Sequence, residues 1–346
     1  MMSPPRNILI VRLSAIGDVV MASALIPAIK NTWPDARLSW LVEPAGYDLL
    51  RHNPRLDEVI VWPRPYWRQL WQQRQFGRWF GEVHRFTTGL RRRRFDQVID
   101  IQGLLKSGLW ARLTGARQRI GLGSREGSQY LMTRRVDRYG GDDRIGSEYL
   151  HLAKTLELDT GAFRMDVAVG EQPAVMARNR IAKAGIDRYA VICPFTTRPQ
   201  KHWFEDRWQT LTGLLSAQTG LPVVMLGGPG DRTAGERIAD GCQLLNLTGQ
   251  TRLDETAALI DGASLLVGVD TGLTHLGIAR DVPTIALFGS TRPYLNPASD
   301  RATVLYHPLV CSPCRRPPIC DGRFDCMRLH TPDNVMAAVQ TLLAQS

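Results

Sequence analysis

A short apolar run that stops at Asp270-Thr271-Gly272-Leu273-Thr274-His275 constrains this chain more than any other stretch. The run before it, Leu265-Leu266-Val267-Gly268-Val269, has the unbroken apolar character of a strand buried on both faces, as in a parallel sheet. Residues 276–280 after it read as helix. A strand that ends in such a turn and feeds a helix aims backbone N–H groups and the positive end of a helix dipole into the crevice beyond the sheet. That arrangement suits a phosphate. The same pattern opens the chain: the apolar run Ile8-Leu9-Ile10-Val11, the turn Ser14-Ala15-Ile16-Gly17-Asp18, and a helical pattern over 19–30. Two such mouths predict two facing α/β domains with a ligand cleft between them. A length of 346 residues agrees, being too long for one ordinary core.

The order of elements follows from short Val, Ile and Leu runs bounded by turn residues. Strands are expected at 8–11, 38–42, 59–62 and 97–101, and helices at 19–30, 66–86, 104–113 and 146–156. Between 121 and 143 the chain is rich in Gly, Ser and Arg and reads as loop. Alternation resumes with strands at 190–193, 222–226, 244–246, 265–269 and 284–288. Helices are expected at 205–218, 232–239, 253–261, 272–280 and 332–344. Such alternation predicts doubly wound, Rossmann-like parallel sheets, with domains over 1–170 and 171–346.

Charge narrows the partners. The formal net charge is +10, and much of it sits in Arg91-Arg92-Arg93-Arg94 and in a stretch over 64–85 that mixes Arg68, Arg74 and Arg78 with Trp67, Trp71, Phe76, Trp79 and Phe80. Basic charge interleaved with aromatics fits nucleic acid, an anionic membrane surface or a phosphorylated substrate. A solvated helix face with a half-buried aromatic stripe is the plainer reading. Apolar runs fall well short of the roughly 20 residues that span a bilayer, and the first residues carry no signal-peptide pattern. A cytoplasmic protein is expected, one able to rest on a membrane.

Four constellations carry chemistry. Thr196, Thr197 and Lys201, on the loop after the strand at 190–193, form an anion cradle of two hydroxyl donors and a point charge, unless the loop is merely a polar helix cap. Gly227-Gly228-Pro229-Gly230-Asp231 lets a planar or phosphate group approach closely. It is neither a P-loop nor a GxGxxG fingerprint, which counts against a dehydrogenase. Asp231 fits either ribose hydroxyls or the cap of the helix that follows. Asp270 fits sugar hydroxyls or the N–H groups of its own turn. Asp18 is suited to a general base, with helix capping as the plain alternative.

Together these motifs resemble the family 9 glycosyltransferases, the bacterial heptosyltransferases of lipopolysaccharide core assembly. The matching segments are 14–19, Gln102-Gly103-Leu104-Leu105-Lys106-Ser107, 196–203 and 269–276, in order along nearly the whole chain. The resemblance implies a GT-B fold and inverting transfer of heptose from ADP-L-glycero-D-manno-heptose to the Kdo of Kdo-lipid A. The acceptor is expected on the N-terminal domain and the donor on the C-terminal one. By position, it makes Asp18 the base and gives Lys201, Thr196 and Thr197 to the diphosphate. Gly228, Asp231, Asp270, Thr271, Gly272, Leu273 and His275 are assigned to the rest of the donor. Arg64, Arg68, Lys106 and Arg125 are assigned to the acceptor. It also implies a location at the cytoplasmic face of the inner membrane, with peripheral contact to anionic lipid. No Asp-x-Asp motif occurs, so the sequence calls for no cofactor in catalysis.

Cys311, Cys314, Cys320 and Cys326 depart from the well-studied members, although protein-modifying members carry a similar cluster that binds iron. Four cysteines this close in a cytoplasmic chain predict a structural zinc or iron site rather than disulfides. The departure leaves another core sugar or a protein open as acceptor. A zinc-knuckle nucleic-acid-binding protein is the competing class. It leaves both strand-end mouths unexplained, so no nucleic-acid partner is expected.

Overall fold

The computed structural model describes residues 4–138, 142–314 and 318–345. The stretch expected as loop over 121–143 and the cysteine segment 311–326 each include residues outside these ranges. The chain divides into two compact units, one comprising 1–142 and 146–168, the other 143–145 and 169–346.

The first unit runs β1 (Asn7–Val11), α1 (Ile16–Ala22), α2 (Leu25–Thr32), β2 (Arg37–Val42), α3 (Pro44–Leu50), β3 (Glu58–Val61), α4 (Arg64–Gln72), α5 (Phe76–Arg92), β4 (Gln97–Asp100), α6 (Leu105–Leu113), β5 (Gln118–Leu122), β6 (Arg134–Val136) and α7 (Ser147–Thr155). Its sheet has the order β3-β2-β1-β4-β5-β6, all parallel. β1 and β4 lie in the middle and are almost wholly buried, which is why they read as unbroken apolar runs.

The second unit runs α8 (Glu171–Lys183), β7 (Ala190–Cys193), α9 (Glu205–Thr219), β8 (Val223–Met225), α10 (Arg232–Ala239), β9 (Leu244–Asn246), α11 (Leu253–Asp261), β10 (Leu265–Val269), α12 (Gly272–Ala279), β11 (Thr284–Phe288), β12 (Ala302–Tyr306), α13 (Asp325–Arg328) and α14 (Pro332–Ala344). Its parallel sheet, β12-β11-β10-β7-β8-β9, repeats the connectivity of the first. In each unit the first and fourth strands are neighbours, and the winding reverses between them. That reversal opens a crevice at the carboxyl ends of those two strands, where α/β sheets take their ligands.

Several expectations change. The helix expected over 19–30 is two helices, because Pro27 has no N–H and its ring crowds the carbonyl four residues back. The break is fastened by the Ser23 hydroxyl, which donates to the Val20 carbonyl at 2.6 Å and accepts from the Asp166 amide at 2.8 Å. The helix expected over 66–86 is also two, turned back at Arg74 with φ +57°. Trp71 packs edge-on against Phe76 and Trp79 across that turn, with centroids 5.0 and 5.2 Å apart. The stretch expected as loop over 121–143 holds the end of β5 and all of β6. Gly103, at φ +70°, lets the loop after β4 pass under β5; a Cβ there would lie 2.5 Å from the Leu122 carbonyl oxygen.

Candidate active site

In the first unit, the end of β1 presents Asp18 in the first turn of α1, with its side chain 37% exposed. Its Oδ2 accepts from the Ala15 amide at 3.3 Å, so the capping role is real. The same oxygen meets Arg12 Nη2 at 2.5 Å. The loop carrying Asp18 is held from β4's side, where Gln102 Oε1 accepts the amides of Leu13 (3.0 Å) and Ser14 (3.2 Å). Gln102 is itself fixed, since Asp100 Oδ1 accepts its amide at 3.0 Å, and Asp100 Oδ2 accepts from the Ser107 hydroxyl at 3.0 Å. Burial raises the Asp100 carboxyl to about 6, against the lowering effect of these hydrogen bonds and of Arg12.

Glu43, just past β2, is a site residue the sequence reading missed. Its Oε1 accepts from both Arg64 Nη1 and Lys106 Nζ, each at 3.2 Å. Arg64 and Lys106 are 42 positions apart in the chain, and one carboxylate brings them together. Arg68 lies one turn further along α4, exposed and, among the described residues, without an acidic partner. Arg125 is exposed on the loop after β5, which is strapped to β4's loop by the Arg125 amide donating to the Gly103 carbonyl at 2.9 Å. Arg64, Arg68, Lys106 and Arg125 thus all belong to segments that follow the strands' carboxyl ends.

In the second unit, Asp270 ends β10 and is buried. Its Oδ2 meets Lys201 Nζ at 2.5 Å and accepts from the Thr291 hydroxyl at 2.5 Å; its Oδ1 lies 3.4 Å from His275 Nε2. Burial alone would raise this carboxyl, but His275 and Lys201 outweigh it and hold it well below the usual carboxylate range. His275 Nδ1 pairs with the Tyr294 hydroxyl at 2.7 Å. Thr196 Oγ1 donates to the Asp270 carbonyl at 3.4 Å, so the loops after β7 and β10 join across the winding reversal. Thr271, Gly272 and Leu273 form the partly exposed start of α12, while Thr197 is exposed on the β7 loop. Gly228 is exposed, and its amide donates to Asp231 Oδ2 at 2.8 Å, so Asp231 closes its own turn. Thr291 and Tyr294 follow the carboxyl end of β11 and were missed by the sequence reading, which took no motif from that strand end.

The four cysteines are free thiols. Among the described residues, no three His, Cys, Asp or Glu side chains are placed as a ready-made set of metal ligands. The Cys314 amide donates to the Ser290 carbonyl at 2.8 Å, and Cys326 is buried on α13. Burial, and then the neighbouring thiols, push Cys326 up to about 11. No helix among the described residues is long and apolar enough to cross a membrane.

The profile of glycosyltransferase family 9 (heptosyltransferase) matches residues 83–320. The chain belongs to that family. Lipopolysaccharide heptosyltransferase 1 of Salmonella typhimurium is 30% identical over 295 residues, covering 84% of this chain and 90% of the relative. A family 9 glycosyltransferase from Veillonella parvula superposes with a TM-score of 0.82 at 19% identity, over 99% of this chain and 98% of that one. The Escherichia coli heptosyltransferase WaaC with ADP-2-deoxy-2-fluoro heptose superposes with a TM-score of 0.73 at 26% identity, over 97% and 99%. The fold is of GT-B type, and the chain is a glycosyltransferase. Dehydrogenase and zinc-knuckle readings fall away.

Proposed function

We propose that the protein transfers heptose from ADP-L-glycero-D-manno-heptose to the Kdo of Kdo-lipid A with inversion at the anomeric carbon. The acceptor hydroxyl oxygen bonds to that carbon while the bond from carbon to the diphosphate oxygen breaks. The electron pair leaves with ADP, and the hydroxyl proton passes to Asp18. The observation that carries this reading is the pair of strand-end sites at the two winding reversals. One holds a part-exposed carboxylate; the other holds Lys201 beside the first turn of α12. Lys201 Nζ has a third N–H beyond its contacts to Asp270, free for a phosphate oxygen; Thr197 adds a hydroxyl donor, and Thr196 adds another once its O–H turns from the Asp270 carbonyl. Asp231, Asp270, Thr271, Gly272, Leu273, His275 and Gly228 complete the donor side. The 1–170 domain takes the acceptor, with Arg64, Arg68, Lys106 and Arg125 for its anionic groups. The 171–346 domain takes the nucleotide sugar.

The same reading puts the protein at the cytoplasmic face of the inner membrane. Between Glu58 and Glu82 there is no acidic residue, and Arg64, Arg68, Arg74 and Arg78 lie there. Trp71 is 53% and Phe80 63% exposed at the turn of the α4–α5 hairpin. Exposed aromatics among arginines of which only Arg64 has an acidic partner among the described residues, Glu43, fit an anionic lipid surface. The cysteine segment is proposed to take a structural zinc or iron. The thiols' effect on one another supports it, and elemental analysis finding no metal in the purified protein would reject it.

The deciding experiment assays transfer from ADP-heptose to Kdo-lipid A, with titration calorimetry of ADP, NAD and a short oligonucleotide alongside. Transfer and ADP binding alone are expected. Asp18→Ala should abolish turnover and leave ADP affinity nearly intact, whereas surviving turnover would exclude Asp18 as base. Transfer only to another core sugar or to a protein would move the assignment to that acceptor.

A further inference from the structure

Arg12 stands at the end of β1, where an apolar strand gives way to the Asp18 loop. It is 4% exposed, an unusual place for a guanidinium. Both ends of its backbone are fixed: its amide donates to the Leu41 carbonyl at 3.2 Å, and its carbonyl accepts from Trp40 Nε1 at 3.2 Å. Nη1 donates to the Ile101 carbonyl at 2.8 Å and Nη2 reaches Asp18 Oδ2 at 2.5 Å, while Nε is buried without a partner. A buried cation with an unsatisfied N–H is costly, and the fold retains it beside one carboxylate. The buried Tyr149 hydroxyl, also without a hydrogen-bond partner, lies within electrostatic reach of both charges. Burial would lower the Arg12 guanidinium, but Tyr149, Asp18 and Glu148 outweigh it and hold it above its usual value, so it is charged throughout the working range.

Both fixed contacts of the Asp18 carboxylate fall on one oxygen, Oδ2. Among the described residues, Oδ1 accepts no hydrogen bond.

We infer that Arg12 is a positioning residue for the transfer. It clamps Oδ2, so Asp18 presents Oδ1, in one orientation, to the acceptor hydroxyl. The inference rests on the reading of Asp18 as base. Arg12 touches no substrate; it acts by fixing which oxygen receives the proton and by preventing the side chain from rotating away. Misplacement of a reacting group by an ångström can cost about 100-fold in rate, and a loss of that order is expected when the clamp is removed.

The test compares Arg12→Ala, Arg12→Gln, Arg12→Lys and Asp18→Ala in the full-length protein, with circular dichroism and thermal unfolding alongside. Arg12→Ala should lower kcat by about 100-fold, with KM for both substrates and the ADP affinity within about threefold of wild type. Added guanidinium ion at non-denaturing concentration should restore part of the turnover to Arg12→Ala and none to Asp18→Ala. Arg12→Lys, which keeps one charged donor for Oδ2, should retain most activity. Should Arg12→Ala fail to fold, Arg12→Gln keeps a donor for the Ile101 carbonyl without the charge and should show the same loss confined to kcat. A folded Arg12→Ala or Arg12→Gln with kcat near wild type overturns the inference, as does a loss that appears in KM or ADP affinity instead. Turnover surviving in Asp18→Ala would strike the base assignment itself, a separable failure.

Discussion

Asp18, Lys201 and Asp270 were recognisable as single letters because each follows an apolar strand at a turn, where a charged side chain has a crevice to face. What surrounds them was not. Glu43 gathers Arg64 and Lys106, and Thr291 reaches Asp270, through contacts that no local pattern encodes. Arg12 did leave a trace, a lone charge closing an apolar run, but its partner Ile101 becomes visible only once β1 and β4 are neighbours. Lys201 carries a prediction of its own. A charged hydrogen bond to a diphosphate contributes roughly 1.5–3 kcal/mol, so Lys201→Ala should weaken ADP binding by about 10–100-fold in calorimetry. The same change removes a partner from the buried Asp270 carboxylate, so the thermal midpoint should fall as well.

Elements were legible where their side chains form an apolar run. The central strands β4, β7 and β10 are buried end to end, as is β1 from Ile8 on, and they stood out as apolar runs. Of the four edge strands, β3 and β9 still read as short apolar runs, whereas β6 and β12 did not. β6 reads Arg134-Arg135-Val136, with only Val136 buried, and β12 is part-exposed throughout. An edge strand is held by its backbone ladder to one neighbour, so its side chains need no apolar pattern. His330 illustrates a link between elements with a measurable consequence. It is buried ahead of α14, and its Nε2 meets the carbonyl of Phe288, the last residue of β11, at 2.8 Å. Burial lowers its imidazole to about 4, overcoming the opposite effect of that hydrogen bond; His307 and Arg207 lower it further. The neutral ring is therefore the folded form. Its contribution is fully present above the unfolded value near 6.5 and is lost as pH falls through about 4, up to about 3 kcal/mol in all. Urea unfolding between pH 7 and pH 4 should show this slope, and His330→Gln, which can still donate to the Phe288 carbonyl, should flatten it.

For the protein as a whole, the net charge of +10 becomes meaningful through where it is presented. Trp67 and Leu70 anchor the α4–α5 hairpin in the first unit's core, with Trp79, Val83 and Phe86 packed against that core. The outer aromatics and arginines then project from a fixed base. Vesicles with anionic lipid should co-sediment the protein, and neutral vesicles should not. Raising salt from about 0.1 M to 1 M, which shortens the screening length from about 10 to 3 Å, should release most of it. Trp71→Ser with Phe80→Ser should weaken this binding while leaving ADP affinity unchanged. Equal binding to neutral vesicles, or preference for an oligonucleotide over anionic vesicles, would refute the membrane reading.

By itself the sequence determined the alternation of strand and helix, the duplicated strand-turn-helix mouths, the family, and the chief charged residues at the strand ends. These follow from local rules: apolar periodicity, turn chemistry, and the position of a charge relative to a buried run. Only the tertiary structure decided that β1 lies beside β4 and β7 beside β10, and that Arg12 holds a single oxygen of Asp18. Parallel pairing, and ion pairs such as Lys201 with Asp270, join residues tens of positions apart. Their energies depend on burial and distance, and neither exists until the sheets have closed.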